Sequence, residues 1–391
     1  MIRPLFIVGT RPGAIKVAPV VRATKEHPAL DPIMLASGQH PELVRDALAT
    51  FALRADAELD LGPPSGGLDE MAARLLDSLS AAIDRVRPDV VVVLGDTTTA
   101  AMGAQAAFYG EVPIWHIEAG LRTSAANRPF PEEMHRRLIS RLATVHLAPT
   151  ASARQNLLSE GIADSQIMLT GNTVVDALQF VVAQRATAAN PTVASLIDSP
   201  GPVAVVTMHR RENWHEGIRR VACATLRLLD RRPELRVVHS AHPNPIVRND
   251  VHALLDGHPR AVVTAPLEYG DFALLLARAK FAITDSGGIQ EEAPSLGTPV
   301  LVARRETERT EGLRAGVAML VGTDEDRIVA DAERLLDGTS GLASTVAQMN
   351  PYGDGRAGQR IAHALATRLA NVIVLRRSDG EEPPLAAAGT E

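Results

Sequence analysis

The sequence predicts an α/β protein with two doubly wound parallel sheets, one in each half of the chain. Three observations predict it. Short apolar runs alternate with amphipathic stretches over almost the whole length, the pattern of parallel strands joined by covering helices. Eleven such runs are more than one doubly wound sheet of ordinary size holds. A Pro/Gly cluster, Asn190-Pro191 followed by Ser199-Pro200-Gly201-Pro202, breaks the alternation midway, and the series then begins again at Val203.

The elements follow in order. Pro4 to Val8 is apolar and β-prone, and the helical pattern 14–26 comes after it. The next strands are expected at 32–36, 89–94, 113–117, 144–148 and 166–169, with helices at 41–51, 68–86, 98–109, 132–143, 151–160 and 173–185 between or after them. The second series has strands at 203–207, 236–240, 261–264, 280–284 and 299–302. Its helices are expected at 215–231, 245–256, 270–279, 288–296 and 325–337. The division expected is 1–172 and 173–356, with an amphipathic helix at about 357–375 closing on the first domain. The last residues, 378–391, have the small, polar, proline-bearing composition of a disordered tail.

The 391 residues are long enough for two full cores. The composition is 46% hydrophobic and 22% charged with a net charge of −6, which lacks the basic footprint of a nucleic-acid binder. No apolar run approaches the length of a membrane helix, so no membrane partner is expected. The N-terminus enters a strand-like run rather than a signal-peptide layout. The single cysteine, Cys223, rules out an intrachain disulfide and sits in an apolar helical pattern, which fits a reducing cytoplasm. Lysine occurs only as Lys16, Lys25 and Lys280, which draws notice to Lys16.

In doubly wound sheets ligands bind at the carboxyl ends of the strands. The most informative such end is Asp285-Ser286-Gly287-Gly288-Ile289-Gln290-Glu291-Glu292. A strand that turns into a helix through Ser-Gly-Gly aims backbone N–H groups and the helix dipole at one point, a setting for phosphate. Glu292 stands about one turn in, within reach of ribose hydroxyls. A glycine turn built for tight helix–strand packing is the alternative.

Arg11 and Lys16 flank the first helix start, where they could grip phosphate or balance carboxylates. Asp96 follows the strand 89–94 and reads either as a site carboxylate or as a helix N-cap. Glu118 follows 113–117 directly, before Ala119-Gly120. Glu132 and Glu133, after Pro131, would also suit a helix N-terminus on their own. Three carboxylate positions near strand ends, with Arg122 and Arg136 close in sequence, suggest groups whose pKa values are pushed apart into an acid and a base. In the second half, His209 and Arg210 follow 203–207, and His242 follows 236–240, positions suited to phosphate or proton work.

The ordered motifs GTRPGAIK at 9–16, GDTTT at 95–99, HIEAGLRT at 116–123, PFPEE at 129–133, GNTVVDA at 171–177, HRREN at 209–213, HPNP at 242–245, DSGGIQEEAPSLGTPVL at 285–301 and NPYGDG at 350–355 resemble the non-hydrolysing UDP-N-acetylglucosamine 2-epimerases. The resemblance runs from about residue 4 to 373. It implies two Rossmann-like domains in the glycosyltransferase-B arrangement, an active site between them, and a homodimer. It implies reversible conversion of UDP-GlcNAc to UDP-ManNAc through bound 2-acetamidoglucal and UDP, with no cofactor and no metal. By motif match, Asp96, Glu118 and Glu132 correspond to the family's essential carboxylates and His209 to its histidine. Arg11, Lys16 and Arg136 match basic positions near the diphosphate, Ser286, Gly287 and Gly288 the phosphate turn, and Glu292 the ribose ligand. Arg210 and His242 join the UDP-sugar set.

Three stretches depart from the family pattern. Gly13 stands where a glutamate is usual, the loop 124–128 is rewritten, and Pro41 and Leu43 replace the usual residues after Gln39-His40. Many members bind a second UDP-GlcNAc as activator near this last stretch and near Arg74. Gln39, His40 and Arg74 are therefore the candidate allosteric residues, and weakened activation is expected. A retaining glycosyltransferase of the same fold, a hydrolysing epimerase and an inactive sugar-nucleotide-binding protein are the competing readings. A nicotinamide dehydrogenase is disfavoured, since no G-x-G-x-x-G follows the first strand.

Overall fold

The computed structural model of the protein describes residues 1–378 except 63–65, 124, 127–128, 185–186, 242–243 and 347, with backbone alone at 246 and 370–378. Thirteen strands lie among the described residues. They are β1 Pro4–Val8, β2 Ile33–Ala36, β3 Ala57–Glu58, β4 Val90–Leu94, β5 Ile114–Ile117, β6 Val145–Ala148, β7 Ile167–Leu169, β8 Val203–Thr207, β9 Arg236–Ser240, β10 Ala261–Thr264, β11 Phe281–Thr284, β12 Val300–Val302 and β13 Ala318–Leu320. They form two all-parallel sheets, a seven-stranded one in the order β3-β2-β1-β4-β5-β6-β7 and a six-stranded one in the order β10-β9-β8-β11-β12-β13. This is the doubly wound, Rossmann-like pair expected of the glycosyltransferase-B arrangement.

Each sheet is covered on both faces. One face of the first sheet packs Phe6 and Val92 against Val17 and Val20 of the helix Arg11–Lys25, Val174 and Leu178 of the helix Thr173–Gln184, and Ile361 and Leu365 of the helix Ala357–Ser378. The other face packs Leu5 and Val91 against Leu75 and Leu79 of the helix Leu68–Val86 and the alanines of Thr98–Tyr109. The last helix crosses the first closely. A Cβ at Gly358 would lie 2.8 Å from Pro19 O, and the Gly358 N–H donates to Asp176 Oδ1 at 2.8 Å. Gly358 is needed here for close approach rather than for backbone freedom. In the second sheet, Val206 and Phe281 pack on Ile218 and Val221 of the helix Glu216–Arg231, while Val205 and Ala282 pack on Leu275 and Ala293 of the facing helices.

Five elements differ from the sequence expectation. The strands β3 and β13 were not expected. Both are sheet edges, two and three residues long; β3 is Ala57-Glu58 and carries no apolar run, while β13 lies in the short apolar run 317–321, which sequence reasoning passed over. The helices Pro191–Ile197, Thr310–Arg314 and Gly341–Val346 were not expected either. At the first of these, Asn190-Pro191 does not break the chain. Asn190 Oδ1 accepts from the Thr192 and Val193 N–H groups, and Pro191 opens the helix. Cys223 is half-buried rather than fully in the core. Of the expected tail, Ser378 ends the last helix, and 379–391 lie outside the described residues.

The strand order reverses at β1/β4 in one sheet and at β8/β11 in the other. At such switch points neighbouring strands lead their helices to opposite faces and leave a crevice at the carboxyl ends.

Candidate functional site

A cavity of about 370 Å³ lies between the two switch points. Arg11, Ile15, Lys16 and Val174 line it from the first half, and Thr207, Met208, His209, Leu267, Tyr269 and Glu292 are among the residues that line it from the second. The helix carrying Arg11 and Lys16 starts at once after β1, because Thr10 caps it by accepting from the Gly13 N–H. Lys16 then falls one turn in and pairs with Glu118.

Glu118 directly follows β5 with φ of +63°, a left-handed backbone uncommon for a glutamate. Burial raises its carboxyl pKa, but the Lys16 ammonium and the hydrogen bond from it outweigh burial and hold the group below its ordinary value. Burial pulls Lys16 down, and Glu118 and Glu291 overcome that and hold the ammonium above its ordinary value. Asn172 Nδ2 stands 3.5 Å from Glu118 Oε1 and donates to Glu291 Oε2 at 2.6 Å. Arg309 Nε donates to the other Glu291 oxygen at 2.8 Å. The result is one polar chain, Lys16, Glu118, Asn172, Glu291 and Arg309, that spans both halves, with the Asn172 amide between the two carboxyl groups.

Asp96 is not an N-cap. Thr97 takes that role by accepting from the Ala100 N–H, and the Asp96 carboxylate instead meets Arg136 Nη2 at 2.5 Å. Of the two neighbouring glutamates, Glu133 is the structural one. It is fully buried and accepts from the Thr123 N–H, Arg136 and Arg137. Glu132 opens the helix Glu132–Leu142, and its Oε2 is buried with no hydrogen-bond partner among the described residues. Arg136 is thus held among carboxylates. Arg122 is turned away to Glu160 and Ser140.

On the second sheet the helix Gly287–Ser295 begins with Ser286 at the N-cap position, whose side chain makes no cap hydrogen bond. Arg210 Nη2 and Arg309 Cζ lie 3.6 and 3.5 Å from where a Gly287 Cβ would stand, so both guanidinium groups face the turn. Glu308 sits between them, 3.5 Å from Arg210 and 3.1 Å from Arg309. Burial raises the Glu308 pKa, but Arg309, Arg304 and the local backbone carry it down to about 2. His209 and Arg210 are aimed by Asp285, which is unexposed and accepts from both of their backbone N–H groups and from Asn213 Nδ2. Glu292 borders the cavity. Burial raises its carboxyl to about 7, with Lys16 opposing and Glu291 assisting.

The structure therefore brings Arg11, Lys16, His209 and Glu292 to one cleft, with Glu118 behind Lys16 as its ion-pair partner and Arg210 and the turn 286–288 adjoining them. Asp96, Glu132 and Arg136 form the flank beyond Gly95 and Glu118. His242 lies outside the described residues. Gln39, His40 and Arg74 do not line this cavity: Gln39 and His40 follow β2, and Arg74 lies in the helix Leu68–Val86. Gln39 Oε1 accepts from Thr99 Oγ1 at 2.8 Å, His40 is exposed at the start of the helix Pro41–Ala49, and Arg74 donates to Leu61 O at 3.0 Å and pairs with Glu70. Sequence reasoning passed over Asn172, Glu291, Arg309 and Tyr269. The first two stood inside quoted motifs, so the motifs were the available signal. For Arg309 and Tyr269 there was none, because an arginine or tyrosine at the start of a helix carries no mark of the cleft it will face.

The family model described as UDP-N-acetylglucosamine 2-epimerase matches residues 22–366. The UDP-N-acetylglucosamine 2-epimerase of Escherichia coli O157:H7 is 42% identical over 366 residues, covering 92% of this chain and 97% of that protein. The crystal structure of UDP-GlcNAc 2-epimerase from Neisseria meningitidis bound to UDP-GlcNAc is similar with a TM-score of 0.83 and 37% identity, covering 93% of this chain and 99% of that one. A co-structure of S. aureus MnaA with UDP is similar with a TM-score of 0.85 and 37% identity, covering 98% and 99%.

Proposed function

The chain belongs to the UDP-N-acetylglucosamine 2-epimerase family, and from that premise we propose that it is a non-hydrolysing isomerase that interconverts UDP-GlcNAc and UDP-ManNAc. The proton on sugar C2 is removed, and the C1–O bond breaks with its electron pair leaving on UDP. The 2-acetamidoglucal and UDP stay in the cleft. UDP then adds back to C1 while a proton reaches C2 on the other face, so no atom is gained or lost.

One observation carries the reading. Lys16 of the first half, paired with Glu118, shares a cavity with His209 and Glu292 of the second, next to the helix start at Gly287. In this reading Glu292 takes the ribose. The turn 286–288, with Arg210, takes the diphosphate, since a helix N-terminus and guanidinium groups both favour an anion. Arg11, Lys16 and Arg136 add positive charge that keeps departed UDP in place. Asp96, Glu118, Glu132 and His209 supply the acid and base, and their separation in environment suits that division. Glu118 is held ionised by an ammonium, while Glu132 keeps an unmatched buried oxygen. The division of labour is the first sheet, with the helix Thr173–Gln184 and the closing helix packed on it, for proton work and the second sheet, up to 356, for UDP. Among the described residues no helix is long and apolar enough to cross a membrane. The working form we propose is a cytoplasmic homodimer.

The test is proton NMR of UDP-GlcNAc with the enzyme in D2O. The expected result is UDP-ManNAc carrying deuterium at C2 without added nicotinamide or metal. Only UDP and free sugar would establish a hydrolysing enzyme instead.

A further inference from the structure

Gly95 and Asp96 form the corner where β4 gives way to the next helix, and a histidine ring takes the carbonyl oxygen of each. His116 Nε2 lies 2.8 Å from Gly95 O, and His135 Nδ1 lies 2.9 Å from Asp96 O. A carbonyl oxygen only accepts, so each of these ring nitrogens carries a proton. His116 has no exposure, and its Nδ1 is buried with no hydrogen-bond partner among the described residues. Burial pushes its pKa down to about 4, against the pull of the Gly95 carbonyl. It is therefore a neutral ring locked in the Nε2–H form.

These bonds are not required for ordinary secondary structure. Thr97 already caps the helix that follows. The sheet ladder has opened at this point, because the Ala119 N–H donates to Leu147 O on the far side and leaves Gly95 O to a side chain. The corner bears on two site carboxylates at once. Asp96 holds Arg136 from it, and a Cβ at Gly95 would lie 3.3 Å from Glu118 Oε2. Gly95 has φ of +69° and its N–H donates to Ile117 O at 3.0 Å. A shift of this corner moves Asp96 and disturbs the space occupied by Glu118.

We propose that His116 and His135 are positioning residues that clamp consecutive carbonyls of the Gly95-Asp96 corner and so set the Asp96 and Glu118 carboxylates in the cleft. The kinetic part of the test rests on the epimerase reading above, and the spectroscopic part does not.

The substitutions separate donor from bulk. His135→Asn and His116→Gln place an amide N–H near the lost ring N–H, and His135→Leu and His116→Leu do not. Expected is a fall in kcat of about 100-fold for the leucine variants, the scale of a misplaced catalytic group, with UDP affinity by calorimetry unchanged. Expected also is recovery of most of that loss in the amide variants. Equal loss in leucine and amide variants would overturn the clamp. If a leucine variant does not fold, proton–nitrogen correlation spectra of the wild-type histidines still decide it. Protonated His116 Nε2 and His135 Nδ1 at neutral pH support the proposal, and a proton on the opposite nitrogen alone in either ring refutes it. A wild type that makes no UDP-ManNAc would reject the epimerase reading while those spectra still judged the clamp.

Discussion

Asn172 donates to Glu291 at 2.6 Å and thereby ties the loop after β7 to the helix that follows β11. Both residues are nearly unexposed. Glu291 is also held by Arg309, and its pKa is raised because burial outweighs the attraction of Arg309 and Lys16. A buried carboxylate in that state depends on every donor it has.

Replacing Asn172 therefore tests the join between the halves. Asn172→Leu leaves Glu291 Oε2 without its amide donor and is expected to cost about 1–3 kcal/mol, the penalty for a buried polar group left unmatched. Asn172→Asp is expected to cost more, because it adds a third carboxylate beside Glu118 and Glu291. Urea denaturation measures both. An aspartate variant as stable as wild type would contradict this account of the network.

The proton chemistry and the UDP grip should separate by mutation. Glu118→Gln and Glu132→Gln are each expected to lower turnover by at least ~100-fold, within the range of lost acid–base groups, with UDP affinity nearly intact. Glu292→Ala is expected to weaken UDP binding. Calorimetric titration with UDP beside turnover assays checks the split. Equal loss of UDP affinity in all three would remove it.

The raised Glu292 pKa sets a pH dependence of stability. Its folded value of about 7 lies above the ordinary 4.5. A raised pKa means that the contribution is fully present below 4.5 and is lost as pH rises through 7, since the folded state must then bury a charge. Glu292→Gln should therefore gain melting temperature over wild type at about pH 8 and lose that advantage near pH 4–5. The measurement is calorimetric melting of the ligand-free protein across that range. An advantage that grows toward acid would reverse the sign and refute the argument.

Regulation is the fourth expectation. Pro41 opens the helix Pro41–Ala49 and so brings neither a backbone N–H nor a cation to the stretch beside Gln39 and His40. Gln39 is engaged by Thr99, and Arg74 by Leu61 O and Glu70. Weak or absent activation is expected, with hyperbolic dependence on UDP-GlcNAc and a reverse reaction that runs from UDP-ManNAc alone. A Hill coefficient well above one would show the departures to be harmless.

Much of this protein was legible in its chain. Eleven of the thirteen strands stood out, because a strand buried on both faces must be apolar along its length. The edge strand β3 escaped because its two residues, Ala57-Glu58, carry no such run, and β13 was passed over although it lies in the apolar run 317–321. The Ser286-Gly287-Gly288 turn, Glu118 and His209 were singled out from chemistry placed directly at strand ends, where this fold class binds ligands. Asp96 was ambiguous in sequence because an aspartate before Thr97-Thr98 could cap a helix. Only the fold showed that Thr97 caps and that Asp96 faces Arg136. By local pattern the two glutamates after Pro131 were equivalent, and only the family resemblance singled out Glu132. Helix phase decided between them, turning Glu133 into three donors and leaving Glu132 with a buried, unmatched oxygen.

By itself, then, the sequence determined the alternation of elements, the two-sheet class, the family resemblance and the positions where chemistry could lie, because periodicity and local motifs are properties of neighbouring residues. The tertiary structure alone decided which of those residues share a cleft. Lys16 and Glu118 are 102 positions apart, and Asn172 and Glu291 are 119 apart. No local pattern encodes such a pairing. It arises only when the switch points of two sheets are set facing each other and burial obliges each charge and polar group to find its partner.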